Sequence, residues 1–298
     1  MAEKTWVVEQ VTEFQSQLFL RSLEDSEFRS IGTLFPSDDS EPAKSSPQPG
    51  RIVSRLFFWG DHFHYDVARG PYQSSYGWLS AYLSIIHQAQ TETLEKEKDE
   101  DTREEAEDCL RVAMRLANLL PKIFPPFQNP AERTILWHDD LSLQNILVDD
   151  DAKVTALVDW ECVSTKPLWV ATEMPKFLNG KTREEEPNRD DYGGADEGEE
   201  DSADDDELDD EGKTDLYWMH LMEYEQTQLR KLYTAKMKKL WPRWESEAKD
   251  ASLKSDFLGA VGRCASGWYL KRIEQWVDRL EEGGAFPRLM DILSPNIN

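Results

Sequence analysis

The residues of this chain with the clearest chemical pattern are His138, Asp140 and Asn145. Their spacing, His-x-Asp-x-x-x-x-Asn, is that of a loop in which an aspartate accepts the proton of a hydroxyl and an asparagine holds a metal ion during phosphoryl transfer. A lone Asp-x-x-x-x-Asn pattern is more often a polar hairpin whose acids face water. The residues around the pattern must therefore decide between the two interpretations.

The segment after Asn145 has the pattern of a β-hairpin. Residues 146–148 and 154–158 are apolar runs separated by a polar turn at 149–152, which predicts two paired strands. Such a hairpin carries Asp159 back beside Asn145. A carboxylate at the end of an apolar strand costs stability unless it is paired or used, so this context favours a functional site.

The residue types define a role for each position. Mg²⁺ takes a few protein oxygens and completes its shell with water and phosphate, so Asn145 and Asp159 are predicted as its ligands. Asp140 is predicted to accept the proton of the hydroxyl. His138 is predicted to support the loop backbone by packing and hydrogen bonding, and not to act as a general base.

Several stretches resemble one known family. Residues 138–149, HDDLSLQNILVD, and residues 157–161, LVDWE, resemble the aminoglycoside phosphotransferase-like family, which is related to the protein kinases. Residues 51–83 and 211–233 look like the large fungal branch of that family. The resemblance covers most of residues 5–293.

The resemblance implies an ATP-dependent enzyme that transfers a phosphoryl group to a hydroxyl of a small molecule. It makes Asp140 the catalytic base, Asn145 and Asp159 the magnesium ligands that bind the nucleotide, and Glu161 a nearby acid. Its acceptor is expected near Asp139, Glu161 and the Trp169 region. Aminoglycoside, choline-like, homoserine-like, other hydroxylated metabolite and protein acceptors all stay open, because nothing in the sequence selects among them.

The chain departs from the family before residue 50. No Gly-rich phosphate loop, strand-borne lysine or helical glutamate partner is recognisable there, and residues 6–20 have apolar positions at helical spacing. We therefore expect the first helix of a C-terminal lobe, with the N-terminal lobe missing. A truncated gene model, a natural fragment, an inactive lobe that acts as a binding scaffold, and a lobe completed by a separate polypeptide are the alternatives.

The predicted fold class is α+β and mainly α, a protein-kinase-like C-terminal lobe with small β-hairpins. Residues 1–183 are assigned to the core with the catalytic loop, residues 184–212 to an acidic disordered insertion, and residues 213–298 to the C-terminal helices of the same lobe. Helices are expected near residues 5–22, 76–93, 103–123, 215–240 and 265–282. One helix face is predicted to be buried, namely Cys109, Val112, Ala113, Leu116, Leu119 and Leu120.

Two further features are predicted at the local level. Residues 52–59 and 62–67 flank Gly60-Asp61 and are expected to form a hairpin, on which His62 and His64 share one face. Without a third ligand in view, ordinary packing histidines are favoured there over a metal site. Pro121 and the prolines that follow it are expected to end the helix before the catalytic loop.

Composition narrows the class of protein. The net charge is −25, from 34 basic and 59 acidic residues, which argues against a nucleic-acid partner. No apolar run is long enough to cross a bilayer and no secretory signal opens the sequence, so a cytoplasmic protein without a membrane partner is expected. Cys109, Cys162 and Cys264 are widely spaced, which predicts buried, reduced thiols.

Most of the negative charge is concentrated in residues 184–211, which hold seventeen acids and one arginine. A block of like charge is predicted to be solvated and without a packed structure, while the alternative is a regulatory segment that binds a basic protein partner. We expect deletion of residues 184–211 to leave solubility and activity unchanged. A loss of either in the purified deletion variant would favour the regulatory alternative.

Overall fold

A computed structural model describes residues 1–25, 28–36, 47–128, 132–161, 163–192, 215–283 and 287–293. The α-helices are α1 (Ala2–Asp25), α2 (Arg55–Phe58), α3 (Ser75–Lys96), α4 (Glu100–Ile123), α5 (Asp215–Leu240), α6 (Trp244–Ala265), α7 (Leu270–Glu282) and α8 (Leu289–Leu293). The strands are β1 (Gly32–Phe35), β2 (Gln48–Pro49), β3 (Thr134–Trp137), β4 (Ile146–Val148), β5 (Val154–Leu157) and β6 (Ser164–Pro167). The fold is mainly helical with small antiparallel sheets, as predicted.

The chain divides into two compact units. The loop unit consists of Met1–Gln17, Asp140–Asp159 and Met174–Pro242. The core unit consists of Leu18–Asp139, Trp160–Glu173 and Arg243–Asn298. Within the described ranges, no helix has an apolar stretch long enough to span a bilayer.

The core unit is built on helices α3, α4, α6 and α7, whose apolar faces share one cluster of buried side chains. Trp78 and Trp276 are the largest of its fully buried members. Helix α4 begins where the Asp99 carboxylate accepts a hydrogen bond from the Thr102 backbone N–H at 2.9 Å, which satisfies one of the unpaired N–H groups of the first turn. The predicted apolar face of this helix is buried at every position, as expected.

The sheet of the core unit is four-stranded and antiparallel, in the order β2-β1-β6-β3. Strand β6 lies in its interior and is buried along its whole length. Strand β3 pairs with β6 from Thr134 opposite Pro167 to Trp137 opposite Ser164. His138 and Asp139 therefore come directly after a strand whose position is fixed by the sheet. His138 is the first residue of the His-x-Asp-x-x-x-x-Asn pattern.

The hairpin predicted for residues 52–67 is wrong. The segment forms helix α2 and a 3-10 helix, Gly60–His64. A local side-chain contact stabilises these turns, because the Arg69 guanidinium donates to the backbone carbonyls of His62 at 2.8 Å and of Tyr65 at 3.0 Å. Those bonds satisfy backbone oxygens that a partner strand would otherwise have to satisfy.

One helix end is confirmed and one helix start differs from the prediction. Helix α4 ends at Ile123 as predicted, although Pro121 lies inside its last turn and does not itself end it. The Phe124 backbone N–H donates to the Leu120 carbonyl at 2.8 Å, and Phe124 is fully buried. The helix predicted from residue 265 begins at Leu270, since α6 ends at Ala265 and Tyr269 between them has a positive φ of 60°. Helix α6 was not predicted as a separate element.

In the loop unit, helix α5 has the predicted bounds, residues 215–240. Its buried positions include Tyr233 and Met237. Ion pairs join α5 to the first part of α1, where Lys4 pairs with Glu225 and Lys236 lies 2.6 Å from Glu13. Exposed pairs of this kind contribute about 0–1 kcal/mol each, so they set the alignment of the helices more than their stability.

The predicted acidic insertion falls partly outside the described residues. Residues 193–214 are not described, whereas residues 184–192 are. Glu184 pairs with Lys231 of α5, and the Tyr192 hydroxyl lies 2.7 Å from Nδ1 of His220. A deletion restricted to residues 193–211 therefore tests the acidic block without removing these contacts.

Cys109 of α4 and Cys264 of α6 lie side by side in the core unit, with their Sγ atoms 3.8 Å apart. Both are free thiols and both are buried, as predicted. The Cys109 thiol donates to the Cys264 carbonyl oxygen at 3.1 Å. The hydrogen bond with Cys109 and burial together raise the pKa of the Cys264 thiol. The same hydrogen bond lowers the pKa of the Cys109 thiol. Because the thiolate is the reactive form, the raised pKa protects Cys264 alone, whereas burial shields both thiols from reagents.

We expect neither Cys109 nor Cys264 to react with Ellman's reagent in the folded protein. The measurement uses the Cys162→Ser variant, in which Cys109 and Cys264 are the remaining thiols. In the folded variant the reaction should be at least about a hundredfold slower than in the same variant unfolded by guanidinium chloride. The measurement is absorbance of the released thiol against time. Fast reaction of either cysteine under native conditions would show that the α4–α6 contact opens readily.

Candidate functional site

Strand pairing brings Asp159 to Asn145 within the loop unit. Strands β4 and β5 are antiparallel, with Ile146 opposite Leu157. One step beyond that pair, the Val158 backbone N–H donates to the Asn145 carbonyl oxygen at 3.0 Å. Asp159 follows Val158 directly, so the predicted return of Asp159 to the Asn145 end of the hairpin is confirmed.

The turn of this hairpin is shaped by Asp149. Its carboxylate accepts hydrogen bonds from the backbone N–H groups of Asp151 at 3.1 Å and Lys153 at 2.9 Å. Ala152 adopts a positive φ of 57° in the same turn. This acid therefore has a structural role, as is usual for an aspartate that bonds to the backbone of its own turn.

Helix α1 fixes the outer edge of the hairpin through Gln10. The Gln10 side-chain amide donates to the Ala152 carbonyl oxygen and accepts from the Val154 N–H, both at 3.0 Å. A side-chain amide has the same donor and acceptor as a peptide group. Gln10 thus satisfies the edge of β5 in the way that a neighbouring strand would.

Asn145 links the two ends of the loop that precedes the hairpin. It ends the short 3-10 helix Leu143–Asn145 and is buried. Its Nδ2 donates to the Asp140 carbonyl oxygen at 2.8 Å and lies 3.3 Å from Asp140 Oδ2. The Ser142 N–H also donates to the Asp140 carbonyl, at 2.9 Å. These bonds fix the Asp140 backbone and orient the Asn145 amide, with its oxygen on the side away from the donated hydrogens.

Asp140 combines a fixed backbone with an accessible carboxylate. Its side chain is 51% exposed, and Oδ1 lies 2.9 Å from the Nζ atom of Lys176. Lys176 begins the 3-10 helix Lys176–Leu178, which belongs to the same unit. A ligand can therefore reach Asp140 from solvent, next to a lysine ammonium.

Asp159 adopts a backbone conformation that L-residues other than asparagine and aspartate rarely take, with φ at 66°. Its side chain is exposed. Within the described ranges, its carboxylate makes no hydrogen bond or ion pair that would explain this conformation. A left-handed non-glycine residue costs about 1–2 kcal/mol, and such strain is concentrated at functional sites.

The protein supplies only some of the oxygen ligands that a magnesium ion needs. Among the described residues, no three His, Cys, Asp or Glu side chains come together in a way that could hold a metal. The amide oxygen of Asn145 and the carboxylate of Asp159 are both hard oxygen donors, the kind that Mg²⁺ binds while keeping water and phosphate as its other ligands. The residues present therefore fit Mg²⁺ brought in with a nucleotide, and not a metal held by protein alone.

Two residues singled out in the sequence, His138 and Trp169, lie in the core unit. His138 is buried and packs edge-on against Trp160 at 4.5 Å between ring centroids, which confirms its predicted packing role. Trp169 is buried and donates from Nε1 to the Ser75 hydroxyl at 2.9 Å. The Trp169 indole therefore serves the core, and the expectation of an acceptor near the Trp169 region stays a prediction.

Asp139 has a partner that the sequence did not reveal. Its carboxylate accepts from the Ser164 hydroxyl at 2.6 Å and lies 3.2 Å from the Nζ atom of Lys166, which is buried. The Lys166 ammonium also lies 4.9 Å from the centre of the Trp78 ring. Asp139 is therefore held in place by β6 of the sheet, and the only sequence signal was a lysine within a buried strand.

At His62 and His64 the sequence favoured ordinary packing histidines over a metal site, and the contacts of His62 agree with that interpretation. His62 Nδ1 lies 2.7 Å from the Leu56 carbonyl oxygen, and its ring packs against Tyr65 at 5.3 Å. Those contacts occupy the ring in local packing. They support the interpretation of His62 as a structural residue.

The sequence model of the phosphotransferase enzyme family matches residues 66–170, about a third of the chain. The matched range includes Asp140, Asn145 and Asp159. No curated protein and no solved structure matches the chain. At a coarse level this match supports a kinase-like phosphotransferase.

Because Asp159 has a positive φ, we expect substitutions at this position to differ in their effect on the free energy of unfolding. Asp159→Asn and Asp159→Gly should unfold at the wild-type denaturant concentration, since both residues accept a left-handed backbone. Asp159→Val should lower the free energy of unfolding by about 1–2 kcal/mol, because β-branched residues do not. Urea denaturation followed by circular dichroism measures the difference. An Asp159→Val variant as stable as wild type would show that the strain is not present.

Proposed function

We propose that this chain transfers the terminal phosphoryl group of Mg-ATP to a hydroxyl group of a small molecule. Asp140 is the catalytic base, and Asn145 and Asp159 are the residues that hold the magnesium ion of the nucleotide. Three findings support this function: the spacing of these residues, the family match over residues 66–170, and their common location in the loop unit. In the same proposal the fold is that of a kinase-like C-terminal lobe.

The observation that carries the proposal is the pair of contacts made by Asn145. Its side chain bonds to Asp140 at 2.8 Å, and its backbone carbonyl accepts from Val158, next to Asp159, at 3.0 Å. One buried residue thus connects the proposed base with the proposed second metal ligand. A polar hairpin whose acids only face water does not require a buried asparagine at this point.

The chemistry assigned to Asp140 follows from its position. Its carboxylate is exposed while its backbone is fixed, so it can accept a hydrogen bond from an acceptor hydroxyl in a defined orientation. The acceptor oxygen attacks phosphorus, its proton passes to Asp140, and the bond between phosphorus and the departing oxygen of ADP breaks. Most of the rate gain in such a reaction comes from positioning and from compensation of charge.

Asn145 and Asp159 supply the protein oxygens for the ion. A magnesium ion held there would reduce the negative charge of the phosphate oxygens. Because Asn145 Nδ2 is engaged by Asp140, the amide oxygen is the atom of Asn145 left to face an ion. The acceptor itself is assigned only as a hydroxylated small molecule.

We expect two substitutions to have different effects. Asp140→Asn should keep Mg-ATP binding within about twofold of wild type and lower turnover by about 10²–10⁴-fold, the usual contribution of a general base. Asp159→Asn, which removes a charged ligand without changing the backbone preference, should weaken Mg-ATP binding itself. Calorimetric titration measures binding, and ADP production with a panel of hydroxylated acceptors measures turnover.

The matched control is Asp149→Asn, an acid of the same hairpin that bonds to its own turn. It should bind Mg-ATP as wild type does. Wild-type turnover in both Asp140→Asn and Asp159→Asn would remove these residues from the proposed mechanism. If wild-type protein itself shows no saturable Mg-ATP binding, the proposal fails and the alternative of a binding scaffold takes its place.

A further inference from the structure

We propose that Lys176 binds the phosphoryl group that is transferred. This inference rests on the proposed function, which assigns a magnesium ion to the phosphate oxygens but no cationic side chain of the protein. Lys176 lies far from the catalytic loop in sequence, after Asp159 and Trp169. Its Nζ atom is nevertheless 2.9 Å from Oδ1 of Asp140.

The Lys176 backbone is held firmly within the loop unit. Pro175, Phe177 and Leu178 on either side of it are buried. The Leu178 N–H donates to the Pro175 carbonyl at 2.9 Å, and Arg230 of α5 donates to the Leu178 carbonyl at 2.8 Å. The segment is therefore anchored to a long helix, and the position of the lysine does not depend on its contact with Asp140.

A close approach follows the anchored segment at Gly180. A Cβ atom at this position would lie 2.3 Å from Oε1 of Gln226 on α5, so the end of that glutamine side chain reaches the backbone of this segment. Arg230 also donates to the Lys181 carbonyl at 2.8 Å. The chain is thus attached to α5 on the C-terminal side of Lys176 by several contacts.

The Lys176 side chain, in contrast, is exposed to solvent. Lys176 is 59% exposed and Asp140 is 51% exposed, and an ion pair this open to water contributes about 0–1 kcal/mol. Such a bond is too weak to explain why a rigid segment presents a lysine at this point. The ammonium has three hydrogen atoms to donate, so it can keep Asp140 as a partner while it contacts another anion.

Reaction geometry places that anion nearby. A base contacts its acceptor hydroxyl at about 2.6–3.2 Å, and the attacking oxygen lies about 3–3.5 Å from the atom that it attacks. Phosphorus is then no more than about 7 Å from the Asp140 carboxylate. The side chain of a lysine that contacts Asp140 is therefore long enough to reach the phosphate oxygens as well.

The chemical need for a cation is specific to this step. The carboxylate of Asp140 and the phosphate are both negative, and their approach is unfavourable unless positive charge lies between them. Lys176 supplies that charge without exchanging a proton, since the proton of the acceptor goes to Asp140 and the phosphoryl group leaves ADP for the acceptor oxygen. Two other cationic side chains of this unit pair with acids away from Asp140: Arg183 pairs with Glu223, and Lys236 pairs with Glu13.

The test compares Mg-ATP with Mg-ADP, because only ATP carries the phosphoryl group in question. We expect Lys176→Gln to weaken Mg-ATP binding by about tenfold or more, the loss of one hydrogen bond to a charged group. Mg-ADP binding should stay within about twofold of wild type. Lys176→Arg should retain most of the preference for ATP. Calorimetric titration of the full chain with each nucleotide gives all of these values.

Lys181→Gln is the matched control, because Lys181 is an exposed lysine of the same anchored segment. It should leave both affinities and the preference unchanged. The melting temperature of Lys176→Gln should equal that of wild type, since a purely structural ion pair would affect folding and not the choice between ATP and ADP.

The outcomes separate the two proposals. If wild-type protein binds Mg-ATP and Lys176→Gln keeps the full preference for ATP over ADP, the assignment of Lys176 is overturned and the proposed function stands. If wild-type protein binds neither nucleotide, the proposed function fails and the role of Lys176 fails with it. A selective loss of Mg-ATP affinity in Lys176→Gln, with rescue by Lys176→Arg, supports both.

Discussion

The candidate site depends on the antiparallel pairing of β4 with β5. This register sets the Val158 N–H against the Asn145 carbonyl and so returns Asp159 to the start of the hairpin. Side chains alternate between the two faces of a strand, so a shift of one residue would turn Asp159 to the opposite face. The Asp149 turn and the Gln10 amide, which bond to the two ends of the connection, both oppose such a shift.

A second constraint is the way in which the loop keeps a reactive side chain accessible. Asn145 is buried and bonds to the Asp140 backbone, whereas the Asp140 carboxylate stays exposed. The free energy of ordering the loop is thus recovered from buried amide contacts, and the carboxylate need not be buried to be oriented. Lys176 repeats this arrangement, with an anchored backbone and an exposed ammonium. Functional groups that are carried by fixed backbones lose little entropy when a ligand binds.

The sequence predicted those features that depend on neighbours along the chain. The buried face of α4, the bounds of α5 and the hairpin after Asn145 all followed from local periodicity. The roles proposed for Asp140, Asn145 and Asp159 followed from their spacing, and the family match over residues 66–170 covers all of them. Periodicity is reliable here because each of these elements buries one side, so the apolar residues must recur at the period of the element.

Tertiary structure decided what depends on residues far apart. The segment 52–67 is a separate case, because its pattern looks extended but the nearby Arg69 side chain bonds to its carbonyls, a contact that periodicity does not encode, and it forms short helices. No local pattern predicts two of the ion pairs, Asp139 with Lys166 and Asp140 with Lys176. A lysine within an apolar run departs from the pattern, but the pattern does not indicate which acid it contacts. The sequence alone determined which side chains could do chemistry. Only the packing of Pro175–Leu178 against α5 determined which cation lies beside them, because long-range hydrogen bonds and burial set that distance.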